Sequence, residues 1–260
     1  MKLNKRFLLI PVALLLPLLL IGAVEKSDLN TKKISRTVAY YLPIFHLNQL
    51  SMDDYVSTNA FHLFIQTLDP SRSYFLQSDI DLFEEGALIL DNSLKKGDIH
   101  FANHVFDTLL QRMSNRVDYV EVLLEKGFDT SLEESFLLER KDAPWSKNEE
   151  EWNEHWRQRI KNEYISRIVS QRVYKDDEGT APSTNGAPVA STDSLNEATT
   201  NGVARIEGEE EEYDEEAEDA LLSPEEFIQG AYKQFLLTLS TYDEEMLLQS
   251  YLSAFSRVIP

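Results

Sequence analysis

Four groups of residues in this 260-residue chain have types and spacings that could do chemistry. His100 and His104 are four apart, which on a helix places two imidazoles on one face, the arrangement of a zinc pair. The zinc-protease pattern also needs a glutamate directly after the first histidine, and Phe101 stands there, so packing or exposed histidines are expected rather than a metal site. His155 follows Glu151 by four, a spacing that reads as a surface pair more readily than as an acid/base couple. Serines and lysines are plentiful, but none sits on a glycine-flanked nucleophile turn, and no Gly-rich phosphate loop occurs. Trp152 and Trp156, one helical turn apart, are expected in the core, with a surface for a partner as the alternative. No catalytic, cofactor-binding or metal-ligating residue is assigned.

Composition narrows the classes further. A net charge of −20 argues against nucleic acid, whose phosphates require clustered Lys and Arg, and against anionic lipid surfaces. Cysteine is absent, which excludes disulfides and thiolate chemistry. Lys2, Lys5 and Arg6 precede the apolar run Phe7 to Ile21 and the small residues Gly22 and Ala23. That is the layout of a secretory signal peptide over 1–23, a retained membrane anchor being the alternative; either predicts export.

The elements that would position these residues read as helices. Thr31 to Leu42 is expected to form a helix that stops before Pro43. Ser51 with Asp54 reads as a capping box for a second, which Asp69-Pro70 breaks, and Tyr74, Phe75 and Leu76 then press the following turn onto the core. A third opens at Ser78, with Ile80, Phe83, Ala87, Leu88 and Leu90 apolar, and closes near Gly97. Asp98 caps the clearest amphipathic run, Ile99 to Leu124, which ends at Gly127. Ser131 with Glu134 predicts a short helix through Leu137 and Leu138, which must end before Pro144. Asn148 then caps a helix with Glu149, Glu150 and Glu151 in its first turn and an apolar stripe of Trp152, Trp156, Ile160, Tyr164 and Ile168.

From Lys175 to Leu222 the texture changes to Gly, Pro, Ser, Thr and Asn followed by an acidic run, with a net charge of −13. So little apolar surface cannot offset the entropy of ordering, and 175–222 is expected to be a disordered acidic linker without a calcium-loop pattern. Ser223-Pro224-Glu225-Glu226 restarts helix, with Phe227, Ala231, Phe235 and Leu239 as its apolar line, and Thr241 with Glu244 caps the last one. With no period-two alternation in the ordered segments, the expected class is all-α: an irregular multi-helix domain over 24–174, completed after the insertion by a helical hairpin over 223–260.

Three segments carry a resemblance to a known family. They are Leu68-Asp69-Pro70 with Tyr74-Phe75-Leu76-Gln77-Ser78-Asp79, then Asp142-Ala143-Pro144-Trp145 with Lys147-Asn148-Glu149, and Ala254-Phe255-Ser256-Arg257-Val258-Ile259. Together they resemble the N-terminal domain of the tail-specific, or carboxy-terminal processing, proteases. The resemblance implies that Asp69, Pro70, Tyr74, Asp142, Pro144 and Trp145 are structural motif residues. It also implies a periplasmic protein, or one attached to the periplasmic face of the inner membrane. Family members capture the apolar C-terminus of a protein substrate on a PDZ domain and cleave with a serine activated by a lysine. This sequence stops at Pro260, before those domains would begin, so it is expected to supply only the helical scaffold. Its expected partners are the PDZ and protease domains, protein substrates and an adaptor protein. The alternative is a stand-alone exported helical adaptor or inhibitor.

Overall fold

The computed structural model describes residues 30–45, 51–176 and 222–258. Among them the fold is helical: α1 (Thr31–Phe45), α2 (Asp54–Leu68), α3 (Gln77–Glu84), a 3₁₀ turn (Ala87–Ile89), α4 (Leu90–Lys96), α5 (His100–Lys126), α6 (Glu149–Asp176), α7 (Pro224–Ser240) and α8 (Glu244–Val258). No helix among them is long and apolar enough to cross a membrane. The signal-peptide segment and most of the acidic insertion lie outside the described residues; α6 continues through Asp176, so helix extends past the expected start of the linker at Lys175.

The helix ends show how caps compete. α1 runs through Pro43 rather than stopping before it. Pro43 lies in the last turn, where a missing N–H costs a single bond. The cap of α2 is Asp53, whose carboxylate accepts from the Tyr55 and Val56 amides, not Ser51. α3 starts one residue before Ser78, because Asp79 reaches back to the Leu76 amide at 2.9 Å. The stretch that reads as one helix to Gly97 is three pieces. Gly97, at φ +74°, ends the last of them, and a side chain there would meet the Lys32 carbonyl. Asp243 rather than Thr241 caps α8, accepting from the Met246 amide. At α7 the capping box of Ser223 and Glu226 forms with Pro224 in the first turn, as its sequence dictates.

Segment 127–148 contains no helix. The expected capping-box glutamate is drawn elsewhere: Glu134 accepts from Arg157 at 2.5 Å and from the buried Lys161. These bonds, Arg157 first, hold the Glu134 carboxyl at about 2. Two charge-assisted bonds to α6 outweigh one local cap.

Packing closes around α2 and α5. α8 lies on α2, α7 on α5, α1 on α4, and α6 touches both α5 and α7. Phe64 meets Tyr251 edge-on at 5.2 Å, and Phe61, Phe83 and Phe101 continue this aromatic core. α7 buries Ile228 and Tyr232, one position on from the expected Phe227–Ala231 line, and Ala231 is exposed. Leu88, apolar in that stretch, is 56% exposed where the chain breaks into a 3₁₀ turn. Asp91 is buried but satisfied: it accepts from Ser57 Oγ at 2.9 Å and pairs with Lys95 at 2.6 Å.

Candidate functional site

The first two motif segments, far apart in sequence, converge on one carboxylate. Asp69 ends α2 with a non-helical backbone, and Pro70 prevents continuation. The turn then passes through Arg72 at φ +49°, the left-handed region, which sends the chain back over the Asp69 side chain. Asp69 Oδ1 accepts from the Ser73 amide at 2.8 Å. Its Oδ2 accepts from the amides of Tyr74 (3.2 Å) and Phe75 (3.1 Å) and from the indole N–H of Trp145 (3.2 Å). The residue is 1% exposed; burial pushes its carboxyl above the ordinary range, and these donors oppose that rise.

Further bonds lock the second segment onto the first. The Arg72 guanidinium donates to the Ala143 carbonyl at 2.8 Å and lies 4.4 Å over the Trp145 ring. Leu76 and Ser146 form an isolated parallel bridge, with the Gln77 amide donating to the Ser146 carbonyl at 2.9 Å. Asp79 binds Arg112 through both oxygens, at 2.9 and 2.7 Å, which ties the junction to α5. Asp142 and Pro144 are exposed and shape the loop from outside; Pro70 is half-buried.

α6 closes the junction from the other side. The Ser73 carbonyl accepts from both tryptophans, Trp152 Nε1 at 2.7 Å and Trp156 Nε1 at 2.9 Å. Trp152 is 2% and Trp156 0% exposed, so neither ring offers a partner surface: their N–H groups turn inward because a buried carbonyl waits there. Tyr74, buried, sits 5.7 Å from Trp156 and 6.0 Å from Phe235 of α7. The third motif segment is elsewhere: Ala254 and Phe255 are buried in α8, which packs on α2, and Ile259 lies outside the described residues.

One pair here has the geometry of a nucleophile and its base. Ser73 Oγ lies 3.0 Å from His155 Nε2. Ser73 is 1% exposed, Phe136 stacks on His155 at 5.9 Å, and Asp69 is committed to amides and an indole, not to the imidazole. The pair is therefore a structural bond inside the core. His155 is thus no surface partner of Glu151, whose carboxylate accepts instead from the Lys147 amide at 2.9 Å. His100 and His104 are exposed on α5, and no group of three or more metal-ligating side chains occurs among the described residues.

The His155 environment predicts a pH dependence. Burial first, then Arg140 and Arg159, lowers its pKa to about 3, so the folded protein holds the ring neutral. A depressed histidine contributes stability that is complete above its unfolded pKa of about 6.5 and is lost as pH falls toward the folded value. Urea unfolding is expected to show a loss of about 2 kcal/mol between pH 7 and pH 5. His155→Gln should flatten that slope; an unchanged slope would mean the ring is charged in the fold.

Sequence reasoning placed Asp69 and Trp145 among the motif residues without pairing them, and it missed Arg72 and Ser73 as their partners. The signal was faint: Arg72 and Ser73 lie between the two parts of the first motif segment, but nothing local reports a left-handed arginine.

The model of the tail-specific protease N-terminal domain family matches residues 38–259, which includes both halves of the junction and all of α7 and α8. The tail-specific protease of Haemophilus influenzae is 31% identical over 153 residues, 58% of this chain and 21% of that protease. The matched stretch is thus about a fifth of the relative's length. With the match running through nearly all described helices, the chain belongs to the tail-specific protease N-terminal domain family.

Proposed function

We propose that this helical region is the non-catalytic frame of an exported tail-specific serine endopeptidase, which helps to enclose protein substrates held by their C-termini. Capture of the C-terminus falls to a PDZ domain and cleavage to a serine–lysine pair, both belonging to the rest of such a protease, with this region docked against them and open to an adaptor. The observation that carries this reading is the fate of Ser73 and His155. The pair in bonding distance that resembles catalytic machinery is buried and turned to structural use, inside a domain matched by a protease family. Export is supported by the basic, apolar and small-residue order of 1–23, and the kinship with a tail-specific protease supports a periplasmic location.

The test mixes the purified chain with the PDZ and catalytic domains of a tail-specific protease and a peptide ending in apolar residues. The chain alone is expected to leave the peptide intact, and to co-elute with the protease domains on gel filtration. Cleavage by the chain alone, abolished in Ser73→Ala, would overturn the reading. An inert chain that blocks cleavage by an otherwise complete protease would favour the inhibitor alternative.

A further inference from the structure

One buried cation of the described residues makes no ion pair. Arg116, on α5, is 4% exposed, whereas Arg112, one turn before it, is held by both oxygens of Asp79. Arg116 Nη1 donates to Asn153 Oδ1 at 2.6 Å, and its Nε has no partner. The guanidinium lies 3.5 Å over the Trp152 ring and 4.8 Å from that of Tyr119. Burial lowers its pKa to about 10, which leaves it charged at neutral pH. The Glu149 charge favours the cation, but no carboxylate pairs with it, and burying a charge without an ion pair is costly unless something else meets it.

Beside this group a depression of about 440 Å³ opens between α5 and the start of α6, within the size range of small-ligand sites. Leu76 and Val122 give it an apolar wall, and the amides of Asn115 and Asn153 also line it. Asp118 and Glu149 also line it; neither pairs with Arg116, although the Glu149 charge acts on it, and together they would repel a multiply charged anion most strongly.

We propose that this depression is a carboxylate-binding site, in which Arg116 receives a single carboxylate whose attached apolar group rests on Leu76 and Val122. A guanidinium matches a carboxylate with two parallel N–H donors, and the two aromatic faces hold its plane fixed. The overall charge of −20 opposes anions only at long range, since screening cuts such repulsion beyond about 8 Å at physiological salt. A peptide carries such a group either as an acidic side chain or as its free C-terminus.

The full chain is titrated by tryptophan fluorescence and by NMR with acetyl-Leu-Glu-amide, acetyl-Leu-Leu with a free carboxylate, acetyl-Leu-Gln-amide and inorganic phosphate. Saturable binding is expected for one or both carboxylate peptides, and about tenfold weaker binding for the neutral peptide and for phosphate. The peptide that binds identifies the source of the carboxylate. Arg116→Gln should weaken it at least tenfold; Val122→Trp, on the exposed rim, should do the same by filling the depression while leaving the guanidinium in place. No saturation by about 10 mM, equal binding of the neutral peptide, or full affinity in Val122→Trp would each overturn the proposal.

Discussion

Asp69→Ala is expected to destabilise the domain by about 4–6 kcal/mol, a large part of what a domain of this size possesses. The substitution removes little volume, so the effect comes from the donors left behind. Three backbone amides and the Trp145 indole would lose their acceptor inside a site that water does not reach. Each buried orphan costs about 1–3 kcal/mol, and relief of the desolvated charge offsets part of the sum. Asp69→Asn should cost less, because one oxygen remains to accept, but its NH₂ then faces N–H donors. Equilibrium urea unfolding followed by circular dichroism measures both. A loss below about 1 kcal/mol for the alanine variant would mean that the junction is held by its hydrophobic contacts and not by the carboxylate.

Trp156→Ala is expected to cost about 4–5 kcal/mol, at the upper end for large-to-small changes. The ring is fully buried and touches Tyr74 from the first motif and Tyr232 of α7, at 5.7 and 5.5 Å. It therefore joins the junction to the segment that follows the acidic insertion. The half-buried ion pair beside it adds to the effect: Arg159 lies 5.1 Å from the ring and binds Glu163, which also accepts from the Tyr232 hydroxyl at 2.8 Å. A cavity next to that network invites water and loosens the α6–α7 contact. Trp156→Phe separates the parts. It keeps most of the packing and loses one bond to the Ser73 carbonyl, which Trp152 still satisfies, so about 1–2 kcal/mol is expected. If alanine costs no more than phenylalanine, the ring is not a packing element and the α6–α7 seam is secured elsewhere.

These two residues also show where reading the chain succeeded and where it stopped. The stripe of Trp152, Trp156 and Ile160 was legible because a helix repeats every 3.6 residues, and an apolar residue each turn must find cover. Caps were legible when they compete with nothing: Asn148 accepts from the Glu151 amide, and Ser223 closes its box with Glu226. They failed where a better bond lay across the structure, as when Glu134 left its expected helix for Arg157 and Lys161. The same holds for His155, which reads as a surface residue on a polar helix and is buried against Ser73 and Phe136.

By itself, then, the sequence determined the helical class, the approximate course of α2, α5, α6 and α7, and the membership signalled by its three motif segments. Only the tertiary structure decided that Asp69 holds Trp145, that one carbonyl serves two tryptophans, and that Arg116 is buried without an ion pair. The division has a physical cause. Periodicity and capping act within about four residues and so are written along the chain, whereas a carboxylate chooses among donors brought near by packing, at separations of seventy residues or more that no local pattern encodes.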